Sequence, residues 1–70
     1  MLAENLKKMR IKYGLTQQEL TDILGISQTA VNFFELGKKI PSVAITEQIA
    51  DVYHCSVDYL LGRVSGLETN

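Results

Sequence analysis

Residues 16–37 read TQQELTDILGISQTAVNFFELG, and the punctuation of this stretch decides how the chain folds. Thr16 followed by Glu19 is a capping box, in which the two residues satisfy each other's backbone N–H groups at a helix start. Leu15 and Leu20 stand at the staple positions on either side of the cap. Leu20, Ile23 and Leu24 supply the inner stripe of the helix that follows. Gly25 ends it, because the left-handed conformation of a helix stop strains bulkier residues. Ser27 is the next N-cap, and Ile26 and Val31 take the staple positions around it. This helix runs from about Gln28 to Leu36 and stops at Gly37.

The rest of the chain is equally helical. Leu2, Leu6, Met9 and Tyr13 recur at helical spacing before Gly14, which closes a first helix. Pro41-Ser42 announces a fourth, with Ile45, Ile49, Val52 and Tyr53 as its stripe. Polar Thr46 holds its staple position, so this start reads as less well fastened. A fifth helix opens at Ser56, with Cys55 and Leu60 placed to staple, VDYLL as its body and Gly62 as its end. No stretch alternates as a strand would. The fold predicted is all-α: a compact five-helix bundle over residues 1–63, with 64–70 as a short, frayed C-terminal tail.

The composition narrows the function. A chain of 70 residues is one domain with a thin core. Cys55 is the sole cysteine, so no intrachain disulfide staples the fold, and the expected compartment is a reducing one, the cytoplasm. No apolar run approaches ~18 residues and the N-terminus lacks a signal-like stretch, so no membrane association is expected. Net charge is −1, but it is unevenly spread: Lys7, Lys8, Arg10, Lys12, Lys38 and Lys39 lie before residue 40, and only Arg63 follows. His54 and Cys55 are adjacent, yet no further ligands recur at metal spacing. They also lack the orienting third group of a nucleophilic site. No glycine-rich phosphate loop is present. The expectation is a non-enzyme with no metal, no cofactor and no apparent small-molecule ligand.

The helix at 28–36 is the informative one. At about 100° per residue, Ala30, Val31 and Phe34 share one arc, with Glu35 at its edge. Gln28, Thr29, Asn32 and Phe33 fall on the opposite side. That outer face carries no charge, whereas solvated helix faces favour Lys and Glu. Amides pair with the N6/N7 edge of adenine, and Thr or Phe packs on a thymine methyl. A short helix held across a preceding one is the geometry that delivers such side chains to base edges.

The span GLTQQELTDILGISQTAVNFFELGKKIPS, residues 14–42, resembles the helix-turn-helix domains of the Cro and lambda-repressor type, and CSVDYLLG at 55–62 resembles their close. The likeness covers residues 4–62 and rests on spacing as much as identity. It implies a lambda-repressor-like bundle whose second and third helices form the DNA-reading pair. It implies base contacts at Gln28, Thr29, Asn32 and Phe33, and phosphate contacts at Gln17, Thr16, Ser27, Lys38 and Lys39. It pairs Arg10 with Glu35 across the first and third helices. It also implies a homodimeric regulator of double-stranded DNA, a repressor, with Val57, Leu61, Val64 and Leu67 at the dimer surface. Three positions depart from the pattern. Thr21 stands where relatives carry alanine, Thr46 where they carry an apolar residue, and Phe33 where they carry a polar or basic one.

The alternative is a protein-interaction module of this fold, antitoxin-like or bound to a regulatory protein partner. Phe33, an outward Ile11 and the acidic balance favour it, since fold alone does not establish function.

Overall fold

Five helices follow one another in the computed structural model, which describes residues 2–63: α1 (Leu2–Lys12), α2 (Gln17–Leu24), α3 (Gln28–Leu36), α4 (Val43–Val52) and α5 (Val57–Leu60). No strand occurs among the described residues. The expected residues Val64 and Leu67, and the 64–70 tail as a whole, lie outside them.

The helix starts are built locally. Thr16 Oγ1 accepts from the Glu19 N–H at 3.0 Å, and the Thr16 N–H donates to Glu19 Oε1 at 2.9 Å. Ser27, Ser42 and Ser56 cap α3, α4 and α5 in the same way, each hydroxyl accepting from the N–H three residues on. Such a cap stabilises a helix by about 1 kcal/mol. Gly25 and Gly37 close α2 and α3 in the left-handed region. At the end of α4 the same conformation falls on His54, at φ 51°. The Cys55 N–H then returns to the Ala50 carbonyl at 3.0 Å.

Leu6 and Met9 of α1, Leu20 and Leu24 of α2, Val31 of α3, Ile49 and Ala50 of α4, and Tyr53, Cys55 and Leu60 form the core. Leu15, Ile26 and Phe34 pack against it. Each large side chain buried this way stabilises the fold by about 1.5–3 kcal/mol relative to exposure. Asn5 Nδ2 donates to the carbonyls of Tyr59 and Leu60, both at 3.1 Å, and so ties α1 to α5.

Three sequence-based expectations are corrected. Ile23 is 55% exposed, and Thr21 takes its place on the inner side of α2. Leu20, Leu24 and Thr21 share an arc of about 100°, and Ile23 lies about 110° from its centre. Tyr13 lies beyond the end of α1 and is partly exposed. Its hydroxyl donates to the Tyr53 carbonyl at 2.8 Å, and the two rings lie 5.4 Å apart. Thr46 is buried, and its hydroxyl donates to the Ser42 carbonyl at 2.8 Å. The start of α4 is thus fastened by a hydrogen bond, with Pro41 buried ahead of the cap.

Candidate nucleic-acid interface

Gln17, Gln28, Thr29 and Asn32 line one open, polar notch where the start of α2 meets the outer side of α3. The inner arc of α2 explains how Gln17 reaches it. Position 17 falls within the arc of Leu20, Leu24 and Thr21, but at the first turn that arc overhangs the edge of α3 rather than the core.

The notch is anchored from beneath by a buried ion pair. Arg10 Nε donates to Glu35 Oε2 at 2.7 Å and Nη2 to Oε1 at 3.2 Å, while Nη1 donates to the Leu15 carbonyl at 2.8 Å. The two side chains are only 13% and 3% exposed. Hydrogen bonding to Glu35 raises the Arg10 guanidinium above its ordinary range against the opposing cost of burial.

Gln17 extends this pair to the surface. Its Nε2 donates to Glu35 Oε1 at 3.1 Å and to Asn32 Oδ1 at 3.3 Å. Both amide hydrogens of Gln17 are therefore directed at protein acceptors. Its main-chain N–H, in the first turn of α2, has no intrahelical acceptor and suits an oxyanion. Asn32 keeps its Nδ2 hydrogens, and its Oδ1 keeps a second lone pair. Thr16 and Ser27 use their oxygens as cap acceptors, which leaves each hydroxyl one donor.

Phe33 does not line the notch. It is half-buried, about 100° around α3 from Asn32. Lys38 Nζ stands 5.6 Å and Lys39 Nζ 5.9 Å from its ring centroid. The face that the sequence presents as one set is thus two: an amide and hydroxyl notch on the Glu35 side, and an aromatic–lysine group on the other. Sequence reasoning also missed the inward turn of Gln17. The one signal available for it was its place one turn before Leu20 and Thr21 and two before Leu24.

Away from the notch residues, Leu2, Ile40, Pro41, Val43, Thr46, Glu47, Val57 and Leu61 line an open apolar groove. Ile40 is 84% and Val43 78% exposed there. Sequence reasoning found no such concavity. Among the described residues, no group of three or more His, Cys, Asp or Glu side chains could hold a metal ion. No described helix is long and apolar enough to cross a membrane.

Comparison with known proteins gives this geometry its context. A family model described as helix-turn-helix matches residues 6–60. The chain is 43% identical over 61 residues to an uncharacterized HTH-type transcriptional regulator, YqaE, of Bacillus subtilis, covering 87% of this chain and 53% of that protein. It is 34% identical over 62 residues to the cryptic phage CTXphi transcriptional repressor RstR of Vibrio cholerae, covering 89% and 55%. The chain thus spans about half the length of these relatives. A crystal structure of a transcriptional regulator from Listeria innocua superposes with a TM-score of 0.86 at 24% identity, over 100% of this chain and 65% of that one, which shows the shared fold. The chain belongs to the helix-turn-helix family of transcriptional regulators, of the Cro and lambda-repressor type.

Proposed function

We propose that this chain is a sequence-specific repressor that binds an inverted-repeat operator as a homodimer, with α3 in the major groove. The observation that carries this is the notch, whose four side chains are all neutral and capable of hydrogen bonding. Gln28, Thr29 and Asn32 meet base edges, with bidentate amide–adenine pairing as the specific contact. The first-turn N–H groups of α2 and α3, the hydroxyls of Thr16 and Ser27, and Lys38 and Lys39 meet phosphates. Gln17 contributes its main-chain N–H to phosphate, while its amide orients Asn32. The repressor named among the relatives supports the sign of regulation.

One short helix reads few base pairs, so two copies address half-sites about 34 Å apart. The apolar groove that contains Val57 and Leu61 is the surface offered for pairing. The same groove favours the second reading, a module that docks a regulatory protein.

Selection of bound duplexes from a random DNA pool tests the function. Enrichment of an inverted repeat supports a dimeric reader. No enrichment from folded protein overturns it and moves the function to the groove.

A further inference from the structure

Phe33 and the two lysines form a unit that neither the core nor the notch uses. Two independent links hold it. The first is the backbone at the end of α3. Gly37 is left-handed at φ 77°, its N–H returns to the Phe34 carbonyl at 3.3 Å, and the Lys38 N–H donates to the Phe33 carbonyl at 2.9 Å. That is a Schellman closure, in which the residue after the glycine meets the residue five positions back, commonly through an apolar contact. Here the meeting is between an ammonium and an aromatic face. The second link is that ring, which has both Nζ atoms within about 6 Å of its centroid, the range of cation–π attraction.

We propose that Phe33 is a positioning residue that gathers Lys38 and Lys39 into one phosphate clamp at the end of α3, and that it reads no base. The inference rests on the DNA-binding function above and assigns the outward aromatic its part in it. Two neighbouring ammonium groups repel, and each swings on a long stem with much rotamer freedom to lose. The negative face of the ring offsets the repulsion and confines both stems before a ligand arrives. The C-terminal end of α3 adds its own partial negative charge. A bridging phosphate then meets two cations already brought together. The ring lies off the notch, and both ammonium groups stand over it.

The test compares wild type with Phe33→Leu, Phe33→Trp and Lys38→Gln/Lys39→Gln, each confirmed folded by its thermal transition. The free protein is examined first, by NMR of the lysine side-chain methylenes. Ring-current displacement of the Lys38 and Lys39 signals is expected in wild type and in Phe33→Trp, and lost in Phe33→Leu. Binding to a mixed-sequence duplex is then measured across salt concentrations. Phe33→Leu should weaken it about three- to tenfold at low salt and lower the salt slope by about one, with Phe33→Trp restoring both. In the Lys38→Gln/Lys39→Gln background, Phe33→Leu should change nothing further. Undisplaced lysine signals in wild type overturn the clamp while leaving DNA binding standing. Additive losses, or a Phe33→Leu defect confined to the selected operator, also overturn it and return Phe33 to base contact. A wild type that binds no duplex overturns the DNA function itself, and the clamp's role with it.

Discussion

The two faces of α3 carry charge in opposite ways. On the inner face Glu35 is almost wholly buried, and its carboxylate accepts from Arg10 Nε, Arg10 Nη2 and Gln17 Nε2. Beyond the outer face Lys38 and Lys39 are exposed, and their ammonium groups stand over the ring of Phe33. A buried ion with every partner in place is committed to the fold, because moving it strands another charge. An exposed ion adds little stability and stays available to phosphate. Burial, more than charge, separates the ion that holds this helix from the ions that offer it to a ligand.

The inner face gives the largest effect when broken. Arg10→Met leaves the Glu35 carboxylate buried and under-paired, and should cost about 3–5 kcal/mol in urea unfolding. For a domain of this size the thermal transition should fall by about 12–40 °C. Arg10→Met with Glu35→Leu should recover most of that loss, since apolar replacements of a whole buried pair are often neutral. A double variant as unstable as the single would show that the pair itself, rather than the stranded charge, carries the stability.

The outer face should respond in binding and not in folding. Gln28→Ala or Asn32→Ala should each cost about 1–3 kcal/mol of preference for the selected operator over a mixed-sequence duplex, read by competition. The unfolding midpoint of Gln28→Ala should stay within about 0.5 kcal/mol of wild type. Asn32→Ala also frees an amide hydrogen of Gln17, so it is expected to disturb neighbouring contacts more than Gln28→Ala. Equal loss on operator and mixed-sequence DNA would place these residues on phosphate instead of bases.

The smallest effect sharpens the inner side further. Thr21 is buried on α2 and its hydroxyl has no hydrogen-bond partner among the described residues, whereas the buried Thr46 hydroxyl donates to the Ser42 carbonyl. Thr21→Val should therefore stabilise the fold by about 1 kcal/mol, and Thr46→Val should destabilise it by a similar amount. Calorimetric melting of the two variants checks the opposite signs. A shared sign would show that shape, not hydrogen bonding, governs both sites.

Much of this molecule is legible residue by residue. The ends of α2 and α3 follow from Thr16 with Glu19, Gly25, Ser27 and Gly37, because capping couples groups no more than a few positions apart. The inner and outer arcs of α3 follow from its 3.6-residue period, which depends on nothing outside the helix. The residues of the notch were named from that period and from the family resemblance, with Gln17 assigned only an outward part.

Other features required partners distant in the chain. Thr21 displaces Ile23 from the inner side of α2 because the direction of that side is set by where α3 lies. Gln17 turns inward because Glu35, 18 residues on, offers it an acceptor. Tyr13 leaves the α1 stripe to meet Tyr53, 40 residues away. The sequence by itself determined where each helix begins, ends and is amphipathic, since those properties are local. Only the tertiary structure decided which polar side chains are consumed inside the protein and which remain open at the surface, since a hydrogen bond needs both of its partners in place.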